Sequence, residues 1–324
     1  MASARRKCYQ ADKYGENVEV DDNVKTVLPP GSQILSVEPS GASLWVQTVR
    51  IDVQEPDGNI QAYFKKTAAD DHGRAMMAGA FEAETALHAI VPNHVPKPTA
   101  WGTYKTQPDI HFYLCEFVEM SDRLPSSRQW AEATSQLHVR SAGKCPQGRS
   151  KFGFHVTTHL ANIPIDNSWH DSWESFWAWQ MKSLLKHEER IRGPNHEFSR
   201  LKQSFFDKVI PRLLRPLEAR GRRINACLIH SDLWPGNVMH KAEVRDLVMF
   251  DSCPYWGHNE ADLAVCRNPR YRLGKAYVEA YRRCMPEFPS HPTEDFEDRN
   301  ALYAMKFHIL LSILYPSDSR YRRM

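Results

Sequence analysis

The stretch of sequence that decides the fold is His230-Ser231-Asp232-Leu233-Trp234-Pro235-Gly236-Asn237. A second acidic residue, Asp251, follows nineteen residues after Asp232. Phosphoryl transfer from a nucleotide requires a carboxylate that orients the acceptor hydroxyl, and oxygen ligands that hold a metal ion beside the phosphates. Asp232, Asn237 and Asp251 provide these groups in an order and spacing that predict a kinase-like catalytic loop.

The residues between Asn237 and Asp251 predict a short hairpin. Two apolar pieces, 238–239 and 247–250, flank a polar turn at 241–245. Because a hairpin returns the chain to its starting end, Asn237 and Asp251 are expected to share metal ions there. Magnesium is the natural partner, since it prefers oxygen ligands and is usually held by one or two carboxylates together with phosphates.

Composition limits the class of protein. The chain has 324 residues, 42% of them hydrophobic and 25% charged, which fits one large globular domain or two lobes. A net charge of +3 argues against nucleic acid as the main partner. The basic amino terminus lacks the apolar stretch of a secretory signal. No run approaches the ~18 apolar residues that span a bilayer, so we expect no membrane association.

The cysteines favour a reducing compartment, and we expect the cytoplasm. There are seven, an odd number, and none forms a Cys-x-x-Cys pair. The same spacing argues against a zinc site. The motifs Gly-x-x-x-x-Gly-Lys-Ser/Thr, Gly-x-Gly-x-x-Gly, His-Glu-x-x-His and Gly-x-Ser-x-Gly do not occur in the sequence, and each absence weakens one rival enzyme class.

The order of predicted elements indicates an α+β fold with two lobes. A β-rich lobe, residues 1–120, has predicted strands at 33–37, 43–51, 60–66 and 110–118, and a helix at 79–90. A helical lobe, residues 121–324, has predicted helices at 129–140, 169–191, 198–215, 273–284 and 296–314. In the second of these helices Trp169, Trp173 and Trp177 share one face. We interpret them mainly as a packing stripe; the alternative is that they wall a substrate cleft.

Taken together, these motifs resemble the fructosamine kinase family, also called ketosamine-3-kinases, and its fungal branch in particular. The resemblance covers most of the chain and includes Tyr63-Phe64-Lys65-Lys66 in the first lobe. Its most specific part is Gly257-His258-Asn259-Glu260-Ala261-Asp262, which separates this family from ordinary protein kinases. The resemblance implies a two-lobed, protein-kinase-like fold of the aminoglycoside-phosphotransferase type, with ATP between the lobes.

The resemblance also implies an activity. The family phosphorylates the 3-hydroxyl of a sugar that is attached to an amine as a ketoamine, such as a fructosamine or ribulosamine. The product is unstable and detaches, so the expected partners are glycated amines or glycated protein lysines. The oligomeric state is left open.

Carried onto this sequence, the resemblance makes Asp232 the base that orients the sugar hydroxyl, with Asn237 and Asp251 holding Mg²⁺. Lys66 would contact the α- and β-phosphates of ATP. The residues expected to complete the nucleotide site are Gly41 and Ser43 in the loop 39–43, Glu84 as the partner of Lys66, and the hinge Glu116, Phe117 and Val118. Strand alternation places Lys65 on the face opposite Lys66, where we expect it to be solvated.

The sequence departs from the family pattern at three places. Gly79-Ala80 stands where the family has Gly-Glu, and Glu84, one turn later and about 6 Å along the helix, is the expected substitute, whereas Glu82 points elsewhere. The nucleotide loop has a single glycine. Ser231 replaces the usual Gly before Asp232, which is tolerable unless the backbone there needs a positive φ.

Three functions therefore stay open from the sequence: a ketoamine kinase, a phosphotransferase of the same fold with another hydroxyl substrate such as an aminoglycoside or amino alcohol, and a degenerate kinase that acts as a binding module. Protein-serine kinases are disfavoured, because Trp234 stands where they commonly have a Lys. Asp262 is expected to brace the catalytic loop through His230.

Overall fold

The computed structural model describes residues 20–41, 43–242, 246–286 and 290–323. These residues form two compact units. The first contains the described residues up to Thr85 together with Pro96–Glu119, and the second contains Ala86–Val95 and the residues from Met120 onward.

The first unit is built on a five-stranded antiparallel sheet. Its elements are α1 (Asp22–Lys25), β1 (Gln33–Pro39), β2 (Gln47–Gln54), β3 (Ile60–Ala69), the start of α2 (Asp70–Ile90), β4 (Pro98–Thr103) and β5 (Ile110–Glu116). The strand order is β1-β2-β3-β5-β4. Alternate residues of β2, including Ile51 and Val53, are fully buried and pack with Phe112 and Leu114 of β5. The period-two pattern of these strands therefore builds one apolar face.

Several elements of this unit differ from the sequence prediction: α1 is additional, and β2 covers Gln47–Gln54 rather than 43–51. Helix α2 begins at Asp70 rather than at residue 79. The chain turns sharply out of β3, with Asp70 at φ 65°, and a Cβ at Gly73 would lie 2.6 Å from the carbonyl carbon of Ala68. The absence of a Cβ at Gly73 therefore allows the start of α2 to pack closely against the end of β3. The sequence prediction missed this part of the helix because a glycine so soon after two aspartates is typical of a loop. Strand β4 was not predicted, because its residues are all half-buried and include Pro98 and Gly102.

The second unit contains most of the helices and several short strands. In chain order they are β6 (Met120–Ser121), α3 (Ser127–Ser141), β7 (Thr158–Leu160), β8 (Ile163–Ile165), α4 (Trp173–Arg192), α5 (His196–Ser204), α6 (Ile210–Leu214), β9 (Cys227–Ile229), β10 (Val238–Lys241), β11 (Leu247–Met249), β12 (Tyr255–Gly257), α7 (Gly274–Cys284), α8 (Phe296–Leu314) and α9 (Arg320–Arg323). The predicted hairpin is confirmed, since β10 pairs antiparallel with β11. The helix predicted at 198–215 is interrupted by a π-helical turn, Phe205–Val209, between α5 and α6.

Two of the three tryptophans predicted to share a helix face belong to the core of this second unit, whereas Trp169 lies before α4 and is half-buried. Trp173 and Trp177 are fully buried in α4, and the indole nitrogen of Trp173 donates to the Tyr303 hydroxyl in α8 at 2.8 Å. The packing interpretation of these two residues is therefore confirmed. No helix in the described part of the chain is both long and apolar enough to cross a bilayer.

Candidate active site

The catalytic loop begins at the end of β9, whose three residues are all buried and pair with β12. Beyond the strand, the Asp262 carboxylate accepts the backbone N–H of His230 at 2.8 Å and that of Ser231 at 2.6 Å. His138 Nε2 lies 3.0 Å from the same carboxylate oxygen that accepts the His230 amide. Burial tends to raise the pKa of Asp262, but His138 and the amide of His230 hold it below its usual value. Asp262 thus braces the loop through the backbone amides of His230 and Ser231.

Asp232 and Asn237 are joined within the loop. The Asn237 side-chain nitrogen donates to an Asp232 carboxylate oxygen at 2.9 Å and to the Asp232 carbonyl at 3.0 Å. Burial raises the pKa of Asp232 to about 7, although Lys306 and Asn237 act to lower it. Because the Asn237 nitrogen is committed to Asp232, its amide oxygen is the atom that this side chain can offer to a metal ion.

Asp251 follows the second strand of the hairpin and lies at the same end as Asn237. The backbone N–H of Phe250 donates to the Asn237 carbonyl at 3.1 Å, and the Asn237 side chain reaches the Asp251 carbonyl at 3.4 Å. Asp251 itself adopts the left-handed conformation, with φ 56°. The structure therefore brings together the three residues that the sequence singled out. Their side chains offer oxygen atoms, which are the ligands that magnesium prefers.

Ser231 stands at the position where the family resemblance leads us to expect a glycine. Its φ is 69°, so the backbone does need the positive φ that the sequence could not reveal. A non-glycine residue in this region is strained by about 1–2 kcal/mol. The Ser231 hydroxyl accepts a hydrogen bond from the Lys306 ammonium at 2.8 Å. Sequence reasoning missed Lys306; the signal was a single lysine inside the mainly apolar run 301–314, a position that places it in the core.

An aromatic pair flanks the loop. The Trp234 side chain is 38% exposed, and its ring centroid is 5.7 Å from that of Tyr271. A Cβ at Gly236 would lie 2.2 Å from the Trp234 ring, so Gly236 makes room for the indole. The pKa of the Tyr271 hydroxyl is raised to about 12, first by burial and then by the negative charge of Asp232. Trp234 and Tyr271 therefore lie near the Asp232 carboxylate.

In the first unit, Lys66 and Glu84 interact electrostatically. Burial lowers the pKa of Lys66, and the buried carboxylate of Glu84 in α2 acts to raise it. The expectation that Lys65 is solvated was wrong. Lys65 is only 7% exposed, its ammonium donates to the Tyr104 hydroxyl at 2.6 Å, and burial lowers its pKa to about 8. The opposite face of β3 is covered by the apolar cluster around Ile51, so a side chain pointing there is buried.

The predicted nucleotide loop and hinge also lie in this unit. Gly41 has φ 78°, a conformation that suits glycine, and the Ser43 hydroxyl accepts the amides of Trp45 at 3.2 Å and Val46 at 3.3 Å. Ala42 of the loop lies outside the described residues. In the hinge, the amide of Glu116 donates to the Lys97 carbonyl at 2.9 Å and that of Phe117 to the Ala62 carbonyl at 3.0 Å. The amides of Glu116 and Phe117 are therefore used in backbone hydrogen bonds at the sheet. Val118 is the next residue in the chain.

Known proteins resemble this chain along most of its length. A family model described as fructosamine kinase matches residues 43–319. A ketosamine-3-kinase from Mus musculus is 31% identical over 274 residues, covering 79% of this chain and 84% of the relative. A chloroplastic protein-ribulosamine 3-kinase from Arabidopsis thaliana is 24% identical over 257 residues, covering 76% of this chain and 70% of the relative.

Solved structures show the same fold. A proposed fructosamine-3-kinase from Thermobifida fusca aligns with a TM-score of 0.67 at 22% identity, over 93% of this chain and 94% of the other. A thermostable mutant of the aminoglycoside phosphotransferase APH(4)-Ia, in a ternary complex with AMP-PNP and hygromycin B, aligns with a TM-score of 0.57 at 12% identity, over 90% of each chain. The predicted α+β, protein-kinase-like fold is confirmed, and the chain belongs to the fructosamine kinase family.

Proposed function

We propose that this protein is an ATP- and magnesium-dependent kinase that phosphorylates the 3-hydroxyl of ketoamines. The observation that carries the proposal is the hydrogen bond between Asn237 and the Asp232 carboxylate, 2.9 Å long and beside Asp251, in a chain of the fructosamine kinase family. A chain that only binds nucleotide would not need an acceptor-side carboxylate oriented in this way.

Asp232 is the proposed base. It is partly exposed, so its carboxylate can meet a substrate hydroxyl. One carboxylate oxygen accepts the Asn237 amide, which fixes the plane of the group. As the sugar oxygen bonds to the terminal phosphorus of ATP, the bond from that phosphorus to the bridging oxygen breaks and ADP leaves, while the hydroxyl proton passes to the Asp232 carboxylate. Asp262 acts indirectly, since it holds the two amides that precede Asp232.

Asn237 and Asp251 are the proposed magnesium ligands. The described residues contain no cluster of three or more His, Cys, Asp or Glu side chains that would hold a metal by themselves. An amide oxygen and a carboxylate therefore suit an ion whose coordination is completed by phosphate oxygens and water, as is usual for magnesium. When bound, the ion would neutralise charge on the phosphates.

The first unit supplies the proposed nucleotide contacts. Lys66, supported by Glu84, would bind phosphate oxygens. Gly41 would allow the backbone to approach phosphate closely. The oxygen of Ser43 accepts the two loop amides, so its hydroxyl proton is what it can offer to a phosphate. Within the hinge, the Glu116 carbonyl and the Val118 amide are the proposed adenine contacts, because the amides of Glu116 and Phe117 are used in the sheet.

The proposed substrates are glycated amines or glycated protein lysines; in support, the mouse relative is named a ketosamine-3-kinase and the Arabidopsis relative a protein-ribulosamine 3-kinase. Trp234 and Tyr271 would form an aromatic surface for the sugar or its amine. We propose the cytoplasm as the compartment; in support, the six cysteines among the described residues are free thiols. A second candidate substrate is an aminoglycoside hydroxyl, which the structural similarity to the hygromycin B complex favours.

The test is a magnesium-dependent ATP-consumption assay with a fructosamine, a ribulosamine and an aminoglycoside, using Asp232→Asn as the control protein. We expect consumption with a ketoamine and an about 10²- to 10⁴-fold lower turnover for the variant, with ATP binding retained. Consumption with the aminoglycoside alone would favour the second candidate. ATP binding without consumption of any acceptor would favour a nucleotide-binding module.

A further inference from the structure

The backbone of Ser231 is held in an unusual conformation directly before Asp232. Its φ of 69° belongs to a region that L side chains rarely adopt. Asp262 accepts the amides of His230 and Ser231 and so fixes the backbone on one side. That contact involves the backbone amide of Ser231 and not its side chain.

Lys306 and Tyr255 both form hydrogen bonds with the Ser231 side chain, and Lys306 brings the charge. Lys306 lies in α8, is 2% exposed, and donates to the Ser231 hydroxyl oxygen at 2.8 Å. The same ammonium lies 3.5 Å from the Tyr255 hydroxyl and 4.7 Å from the centre of its ring. Burial lowers the pKa of Lys306, whereas Cys253, Asp232 and Asp262 act to raise it. The nearby acidic groups and the cation–π contact with Tyr255 therefore stabilise the charged ammonium of Lys306 in the core.

The contact places a cation beside a loop that has none of its own. Residues 230–237 include no lysine or arginine. Because Lys306 is 75 residues from Ser231 in sequence, it connects the loop to a long buried helix rather than to a neighbouring turn. A helix of the core gives a more rigid anchor than another loop would.

We propose that Ser231 and Lys306 together form a positioning device for Asp232, in which the ammonium fixes the serine hydroxyl and thereby the left-handed turn that directs the catalytic carboxylate. This inference rests on the proposed function, because Asp232 is the group that is positioned. A glycine at 231 adopts the same turn without strain and needs no such anchor. The serine and the lysine are thus expected to depend on each other.

Two substitutions at one position separate this role from a general packing role. Ser231→Ala keeps the Cβ and removes the acceptor, whereas Ser231→Gly removes both the acceptor and the strain. We expect kcat to fall about 10- to 100-fold for Ser231→Ala, with KM for ATP changed less than about twofold, since misplacement of a catalytic group costs turnover. For Ser231→Gly we expect kcat within about threefold of the wild-type value. Equal kcat values for the two variants would overturn the proposal.

Lys306→Met extends the test to the partner. In the wild-type background we expect the kcat loss of Ser231→Ala, and in the Ser231→Gly background a loss below about threefold. An equal loss in both backgrounds would show that Lys306 acts independently of Ser231 and would overturn the proposal. Unfolding in urea of wild type, Ser231→Ala, Lys306→Met and the double variant adds a readout that needs no turnover.

The two readouts distinguish the two hypotheses. We expect non-additive changes in the free energy of unfolding, because either single substitution removes the same hydrogen bond. If wild type turns over no ketoamine but this coupling is present, the proposed function fails and the Ser231–Lys306 contact stands. Additive changes would overturn the contact itself, whatever the activity of the wild-type protein.

Discussion

Asp262 accepts the backbone N–H of Ser231 at 2.6 Å, although the two residues are 31 positions apart in sequence. The acceptor lies in a 3₁₀-helical segment, Asn259–Arg267, and is itself buried. This contact connects the family-specific segment after Asp251 with the loop that carries Asp232. The segment therefore has a structural role, because it binds the backbone from which the Asp232 carboxylate projects.

Asp262→Asn tests that bracing role. The amide would replace a charged acceptor that now receives two backbone N–H groups, and we expect a loss of about 2–4 kcal/mol in the free energy of unfolding, measured with urea. We also expect kcat to fall at least about tenfold, because the loop loses its anchor. Asp171→Asn is the matched control, since Asp171 is 86% exposed and pairs with the surface residue Lys151. Equal stability of the two variants would contradict the bracing role.

The same carboxylate gives a pH dependence of stability. The pKa of Asp262 in the folded protein is below its usual value of 3.8, so the ionised group stabilises the fold above that pH, and its contribution is lost as pH falls through the folded pKa. The difference in free energy of unfolding between wild type and Asp262→Asn should be constant near neutral pH and shrink below pH 3.8. Urea denaturation at several pH values measures it. A difference that grows on acidification would show the opposite shift.

Lys66 and Lys65 form a matched pair of adjacent lysines on opposite faces of β3. Lys66→Met should lower kcat/KM for ATP about 10²-fold, because a preorganised charge on phosphate is lost. Lys65→Met should leave kcat/KM for ATP within about threefold of wild type, since its ammonium is committed to Tyr104. Steady-state kinetics with varied ATP concentration measure kcat/KM for both variants. An equal loss of kcat/KM for ATP in both variants would contradict the proposal that Lys66, and not Lys65, binds the phosphates.

Trp234→Ala tests the proposed substrate surface. Loss of one aromatic contact is worth about 1 kcal/mol, so KM for the ketoamine should rise about fivefold while KM for ATP stays unchanged. Trp179→Ala is the control, because Trp179 is similarly exposed, at 43%, and lies on α4 beside His170. If both variants raise KM for the ketoamine alike, Trp234 has no special contact with the substrate.

The sequence predicted the parts of the site that depend on local pattern. Asn237 and Asp251 flank a hairpin whose apolar pieces and polar turn are contiguous, so their proximity follows from strand pairing. Helix α8 was predicted with its observed bounds, because the run from Phe296 to Leu314 is long, rich in apolar residues and without glycine or proline. For these elements, the sequence pattern and the tertiary structure agree.

The sequence could not show contacts that form only in the folded core. The hydrogen bond between Lys306 and Ser231 joins residues 75 positions apart, and no local pattern indicates it. The burial of Lys65 depends on Tyr104 and on the apolar cluster that covers its side of the sheet. The positive φ of Ser231 likewise occurs in a turn whose tertiary contacts, with Asp262 and Lys306, come from distant parts of the chain.

The most direct test of the central claim follows the fate of a ribulosamine-modified peptide by mass spectrometry. With ATP and magnesium, the account predicts that the peptide first gains one phosphate, bound at the 3-hydroxyl, and then returns to the mass of the unmodified amine as the product detaches. Asp232→Asn should leave the modified peptide unchanged on the same timescale. A ketoamine that stays unphosphorylated under conditions where the protein binds ATP, or a stable phosphate at another hydroxyl, would contradict the proposed reaction.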